Sequence, residues 1–346
     1  MNNKFAVISD LHIGVHQSSE KWLQEVVKFA NWFREQLLDK NIKDIVIPGD
    51  FFHDRTDINL LALQYTAQIL DIWKDFHIWM IPGNHDCFYK DTAQVSSVSI
   101  LKGYSNVTIF SNTTVVDYNN KKIMFVPWGC SIPESMKVDI IVGHFELTGF
   151  KMNSFRVCET GDDSEKLTNT GNLIITGHFH LRQERVNKTG TILYVGTPYE
   201  MDYNDMDTDK GYHIIDTNTN NTEFVVYPLT TKHKKLSVTD LINNKDHMDS
   251  YLNDNVKGNV VTLVVDKEMD YDKISMLVQK IQTYQPFVFK GTDIQNTKSS
   301  DTVIIDQQVN IQTEQLLTEF INNMGIDNSN DVLAFVLELY GKYKTC

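Results

Sequence analysis

Apolar runs along this chain break repeatedly at short polar turns. Residues 5–8 (Phe-Ala-Val-Ile) stop at Ser9-Asp10, as a buried strand does. Trp22, Val26, Phe29, Ala30, Phe33 and Leu37 then recur at spacings of three and four, one face of an amphipathic helix. Residues 44–47 predict a second strand ending at Pro48-Gly49-Asp50, 58–73 a buried helix apolar on more than one side, and 78–81 a third strand ending at Pro82-Gly83. Strand, helix, strand, helix, strand implies right-handed crossovers and a parallel sheet. Shorter strand-like runs follow at 122–126, 138–142, 173–176, 191–195, 212–215 and 223–227, with the polar stretch 159–171 read as a loop.

Residues 230–236, with four basic or potentially basic side chains, read as a linker out of the first domain. Beyond it, 260–265 (strand), 274–284 (helix) and 287–289 (strand) predict a small separate unit. A polar stretch at 296–301 precedes two helical patterns, the last carrying Val332, Phe335, Val336, Leu339, Tyr340 and Tyr343 at helical spacing. The expected domains are 1–235, 236–300 and 301–346. A stripe of this kind usually packs on its own protein.

The length of 346 residues, with 41% hydrophobic residues, fits one large domain plus something smaller and excludes a chain disordered by composition. The net charge of -13 argues against holding nucleic acid by overall charge alone. Residues 1–235 carry -6 of it and the last 111 residues -7, so the acidity is concentrated at the C-terminal end. Cys87, Cys130, Cys158 and Cys346 form no metal or disulfide pattern, which fits a reducing compartment. The first apolar run is too short for a signal peptide and none reaches membrane-span length, so the expectation is a soluble, cytoplasmic protein without a membrane partner.

The strand ends carry the chemistry. Three are followed by Asp10-Leu11-His12, Gly49-Asp50 and Gly83-Asn84-His85-Asp86, and two later ones by Gly143-His144 and Gly177-His178-Phe179-His180. Ligands of open α/β sheets bind beyond the carboxyl ends of strands, and six of the eleven histidines (His12, His53, His85, His144, His178, His180) lie in these segments. Alternate residues of an extended chain face one side, so Asp10/His12 and His178/His180 can each offer two ligands to one centre. Carboxylate, amide and imidazole together suit Mn²⁺, Fe²⁺ or Zn²⁺ better than Ca²⁺. Taken singly, a strand-end Asp also serves as a helix cap, a lone His as an ordinary polar residue, and Gly49 or Gly83 as a turn former.

The ordered set D-x-H, G-D, G-N-H-D, G-H and G-H-x-H resembles the calcineurin-like metallophosphoesterase superfamily. Within it the chain looks like the SbcD-type nuclease subunits, including the recombination endonuclease subunits of large bacterial viruses. Gly49-Asp50-Phe51-Phe52-His53, Val142 to Gly149 and Tyr194-Val195-Gly196-Thr197-Pro198 with Lys210-Gly211-Tyr212 support this. The motifs span Asp10 to Tyr212; beyond Lys235 the likeness rests on layout. The resemblance implies an α/β fold, a sandwich of two mixed β-sheets flanked by helices, with a small α+β capping domain and a C-terminal helical segment.

It further implies two divalent metal ions, Mn²⁺ first with Mg²⁺ or Fe²⁺ as alternatives. Asp10, His12, Asp50 and His180 would hold one, and Asp50, Asn84, His144 and His178 the other. His85 matches the histidine that stabilises developing charge or protonates the leaving 3′ oxygen. Asp86 completes the catalytic group by orienting its neighbourhood. Phosphomonoesterases of the superfamily place an Asp where this chain has His53, a position at which several SbcD-like nucleases have His, so His53 contacts His85 or the DNA phosphate. The Pro common after this run is absent here.

Lys121-Lys122, Arg182/Arg185/Lys188 and Lys232/Lys234/Lys235 read mainly as solvated surface; only Arg182 and Arg185, next to G-H-x-H, favour DNA contact. The resemblance points the stripe of Val332, Phe335, Val336, Leu339 and Tyr340 at an SbcC-like ABC ATPase partner. It also implies a homodimer and, for a viral protein, the host cytoplasm. The resulting expectation is a Mn²⁺-dependent DNA exonuclease/endonuclease of repair and recombination, cutting 3′ to 5′ on duplex ends. A phosphomonoesterase or cyclic-nucleotide phosphodiesterase is the alternative, and a non-catalytic scaffold a further one.

Overall fold

The computed structural model describes residues 3–133, 136–294 and 332–337. The chain divides into two compact units, Met1–Thr231 and Lys232–Cys346. The first begins β1 (Lys4–Val7), α1 (Val15–Ser18), α2 (Glu20–Asp39), β2 (Asp44–Pro48), α3 (Leu60–Ile72), β3 (His77–Ile81). It continues β4 (Cys87–Tyr89), β5 (Thr92–Ser96), β6 (Val107–Ile109), β7 (Thr114–Tyr118), β8 (Lys121–Val126), β9 (Val138–His144). Then come α4 (Ser164–Thr168), β10 (Gly171–Gly177), β11 (Gln183–Val186), β12 (Thr191–Tyr194), β13 (Gly211–Asp216) and β14 (Asn221–Val226).

Two six-stranded sheets result, in the orders β14-β13-β1-β2-β3-β6 and β11-β12-β10-β9-β8-β7. In the first, β1, β2 and β3 run parallel, as the alternating pattern predicts, β6 extends them in parallel, and β13 and β14 add antiparallel. In the second, β8, β9, β10 and β12 are parallel, with β7 and β11 antiparallel at the edges. Alternate side chains sort the core into layers. Phe5, Val7 and Val46 meet Phe125, Ile140, Val142 and Ile175 between the sheets. Ala6, Ile8, Ile45 and Ile47 turn the other way onto α2 and α3, where Phe29, Phe33 and Trp73 are buried. The outer face of the second sheet is covered by Phe145, Phe150, Leu167 and Phe179. This unit is a sandwich of two mixed sheets flanked by helices.

The second unit has β15 (His233–Ser237), α5 (Val238–Asn243), α6 (Met248–Val256), β16 (Val260–Val265), α7 (Tyr271–Thr283) and β17 (Val288–Ile294). Among the described residues its three strands are parallel in the order β15-β16-β17. Leu236, Leu241, Leu252, Val261, Leu263 and Ile281 form its core.

Three sequence expectations change. The linker read at 230–236 overlaps β15, because His233 and Leu236 are buried where the strand pairs with β16. The boundary expected after Lys235 therefore falls inside a strand, and the division lies after Thr231. The loop read at 159–171 contains α4, nucleated where the Asp163 side chain accepts from the Glu165 N–H. Residues 332–337 are helical and contain Val332, Phe335 and Val336, whereas Leu339, Tyr340 and Tyr343 lie outside the described residues. Among the described residues no helix is long and apolar enough to cross a membrane.

Candidate metal centre

The ends of β1, β2, β3, β9 and β10 bring the five motifs to one place. Asp10, His12, Asp50 and His178 have left-handed backbones, with φ of 54°, 46°, 50° and 89°. Such conformations cost about 1–3 kcal/mol each and persist where the surroundings over-determine them. Here they turn the chain sharply as it leaves each strand. Gly83 shows how tightly the loops meet: a Cβ there would lie 2.2 Å from Asp50 Oδ1 and 2.4 Å from the Asp50 nitrogen. At Gly49 (φ 100°) one would lie 2.3 Å from His144 Nδ1.

Asp10, His12 and His180 form one group of potential ligand atoms within 4.8 Å of one another, and Asp50, His144 and His178 a second. Asp50 stands between them, its Oδ2 being 3.7 Å from His12 Nε2 and 3.3 Å from His144 Nε2. The Asn84 side-chain oxygen lies 2.9 Å from both His144 Nε2 and His178 Nδ1. All seven residues expected as ligands are thus assembled.

The hydrogen bonding of these atoms fits a cation. His144 Nδ1 lies 2.8 Å from the Pro48 carbonyl, which only accepts, so that nitrogen carries a proton and the neutral ring has its lone pair on Nε2. His144 Nε2, Asn84 Oδ1 and Asp50 Oδ2 then converge as three acceptors, which a positive ion satisfies. At the other group His12 Nε2 and His180 Nε2 approach to 3.1 Å, and the buried Asp10 Oδ2 has no hydrogen-bond partner. The other Asp10 oxygen accepts from the His178 N–H at 3.0 Å.

The electrostatics of the protein alone agree. Burial alone would lower the His144 imidazole, but the Asp50 charge and hydrogen bond, then Asp10 and the Pro48 carbonyl, outweigh it and bring it up to about 9. Burial opposes ionisation of Asp50, yet His144, then His12 and His85, hold it well below the usual carboxylate range. Burial, reinforced by Asp50, raises Asp10. Burial also pushes His12 well down and His178 to about 3, keeping both imidazoles neutral and able to ligate.

His12, His53 and His85 form a third group of neighbouring rings. His85 Nδ1 donates to the His53 carbonyl at 2.7 Å, and its backbone N–H donates to Asp50 Oδ1 at 2.8 Å. His53 Nδ1 is 3.4 Å from His12 Nδ1, and burial followed by the His85 charge lowers the His53 imidazole. Asp86 is fully buried. Its carboxylate accepts from the N–H groups of Phe51, Phe52 and Gly83 at 3.1, 2.9 and 2.9 Å, clamping the G-D-F-F turn to the G-N-H-D turn. Burial and Asp50 raise it to about 7, against those three hydrogen bonds.

Arg182 and Arg185 are engaged within the fold. The Arg182 guanidinium lies 4.6 Å from the centre of the Phe224 ring, and that of Arg185 3.8 Å from the Phe150 ring while donating to the Gly149 carbonyl at 2.8 Å. Sequence reasoning missed Asp205. It lies 3.9 Å from His180 Nδ1 and pairs at 2.7 Å with the buried Lys210, which also donates to the His180 carbonyl. Nothing in the run of aspartates from 202 to 209 distinguishes it.

Fold and strand-end cluster together define a metal-dependent phosphoesterase. Residues 3–182 match the Calcineurin-like phosphoesterase family, and the chain belongs to it. Over 337 residues it is 27% identical to Exonuclease subunit 1 of Enterobacteria phage T4, a match covering 92% of each chain. It is also similar to a solved archaeal phosphodiesterase at 14% identity, over 65% of this chain and 99% of that one, with a TM-score of 0.38.

Proposed function

We propose that the chain is a DNA nuclease subunit that hydrolyses phosphodiester bonds at a two-metal centre. The observation that carries this reading is Asp50 standing between two groups of ligand atoms. Asp10, His12, Asp50 and His180 hold one ion, and Asp50, Asn84, His144 and His178 the other, with Mn²⁺ the physiological metal. When bound, the ions supply Lewis acidity and an activated water for displacement at phosphorus. The Pro48 carbonyl fixes the His144 tautomer that ligates. His85 Nδ1 is held by the His53 carbonyl, leaving Nε2 to deliver a proton to the departing 3′ oxygen. His53 supports His85 and the DNA phosphate, and Asp86 keeps both turns in register.

The relative named as an exonuclease subunit, matched over 92% of its length, supports DNA as substrate and a multi-subunit setting. We assign 3′ to 5′ cleavage of duplex ends during recombination and repair, in a homodimer. An SbcC-like ABC ATPase docks on the C-terminal segment, where Val332 and Phe335 are 37% and 61% exposed. The unpaired thiols of Cys87, Cys130 and Cys158 go with a reducing cytoplasm. The test is turnover of linear DNA, a phosphomonoester and a phosphodiester dye, each in Mn²⁺ and in EDTA. Mn²⁺-dependent loss of DNA and diester is expected; a preference for the monoester overturns the nuclease reading.

A further inference from the structure

Beside the His144 and His178 side of the centre opens a cleft of about 430 Å³ lined by Lys90, Trp128, His144, Phe145, Glu146 and Asp162, among others. Trp128 is half-buried and firmly held. Its Nε1–H donates to the Lys90 carbonyl at 2.6 Å and its backbone N–H to the Pro82 carbonyl at 3.1 Å. The indole lies 5.3 Å from the His178 ring at an interplanar angle of 33°, and 5.9 Å from His144. An aromatic ring is therefore fixed against two residues of the metal centre, His144 and His178.

The charges of the cleft select its occupant. Lys90 shares the cleft lining with two carboxylates, Glu146 and Asp162, so the lining is net acidic and a second phosphate would be repelled there. A neutral, flat group with hydrogen-bond donors matches both the indole and the acceptors. Glu146 Oε2 lies 3.9 Å from His178 Nε2, which sets the carboxylate at the border between cleft and centre. Because Trp128 is immobilised in advance, stacking on it costs little ordering entropy.

We propose that this cleft is a nucleobase subsite: the base of the nucleotide carrying the phosphate under attack stacks on Trp128 and donates its exocyclic amino group to Glu146 or Asp162. Adenine, cytosine and guanine carry such an amino group and thymine does not, so the subsite ranks the first three above thymine. The inference rests on the two-metal phosphodiesterase reading and names the part of the substrate that reading leaves unassigned.

The test uses the full chain in Mn²⁺ with the p-nitrophenyl esters of the four 2′-deoxynucleoside 5′-phosphates, and bis-p-nitrophenyl phosphate as a diester lacking a base. Base stacking on an aromatic side chain corresponds to roughly ten-fold in affinity. Trp128→Ala is expected to raise KM for the nucleotide esters about ten-fold more than for the base-free diester, and Trp128→Phe to recover most of the difference. Glu146→Gln is expected to narrow the adenine-to-thymine ratio of kcat/KM, a ratio that general damage to the centre does not move. Independently of turnover, an oligonucleotide containing 2-aminopurine is expected to lose fluorescence on binding wild-type protein in EDTA, and to keep it with Trp128→Ala. Equal losses on base-containing and base-free diesters, or wild-type rates blind to the base, overturn the subsite while leaving DNA cleavage intact. Hydrolysis of the dye diesters without cleavage of linear DNA overturns the nuclease reading instead.

Discussion

Replacing Asp205 by Asn tests whether the buried pair beneath His180 holds the first unit together. Asp205 Oδ1 and Lys210 Nζ are 2.7 Å apart, with both side chains 2% exposed. Removing one partner of a buried pair strands the other charge and typically costs 3–5 kcal/mol. Lys210 would keep the Thr197 hydroxyl at 2.8 Å and the His180 carbonyl at 3.2 Å. Asn preserves the side-chain shape and can still accept from the Met201 N–H, now 3.0 Å from Asp205 Oδ2. The loss should therefore sit near the lower end, about 3 kcal/mol at pH 7. The assay is urea unfolding in EDTA, so that bound ions add no stability. All five tryptophans lie within Met1–Thr231, so their fluorescence follows that unit alone.

The pH dependence has a definite sign. Burial works against ionised Asp205, but Lys210 and then His180 outweigh it and hold the carboxyl below its usual range. A lowered folded-state value contributes stability that is present above the unfolded value and is lost as pH falls through the folded one. The gap between wild type and Asp205→Asn should stay constant from pH 5 to 7 and close below about pH 4. A gap under 1 kcal/mol at pH 7, or one unchanged at pH 3, would refute the pairing argument.

Two further outcomes are expected. His85→Ala should lower cleavage about 10²–10⁴-fold, the usual worth of positioned acid–base catalysis. It should leave Mn²⁺ binding near normal, which calorimetry beside turnover would check, and a large drop in metal affinity would make His85 a ligand instead. Gly83→Ala should cost about 1–3 kcal/mol of stability through overpacking, because its Cβ would sit 2.2 Å from Asp50 Oδ1. It should weaken Mn²⁺ binding as well, and wild-type values in both unfolding and calorimetry would contradict the close approach.

Much of the site was legible because it lies on local pattern. Apolar runs ending in Asp, Asn or His place ligands beyond strand ends, and the structure gathers all seven expected ligands there. Three of the four parallel strands of the first sheet were legible for the same reason, β1 and β2 each being followed by an amphipathic or buried helix; β6 (Val107–Ile109) was too short to stand out. The short edge strands were not. Gln183–Val186 and Thr114–Tyr118 are mostly polar or half-exposed and become strands only through pairing with β12 and β8. His233–Ser237 looked like a linker because its two adjacent lysines mask the two buried residues, His233 and Leu236, that seat it. Trp128 meets Lys90, Pro82 and His178 across the fold, as Asp205 meets His180, and neither carries a local signature. The charge of -13 bears only in part on the proposed DNA substrate. Part of it consists of Asp10 and Asp50 themselves, carboxylates that divalent ions would neutralise.

The central claim is that two ions bridged by Asp50 cleave DNA. It is tested most directly by titrating Mn²⁺ into metal-free protein by calorimetry while following hydrolysis of linear DNA, for wild type and Asp50→Ala. Two ions per wild-type chain are expected, with activity rising as the second binds. Asp50→Ala should bind fewer ions and leave the DNA intact. Two ions bound to Asp50→Ala with undiminished cleavage would contradict the account.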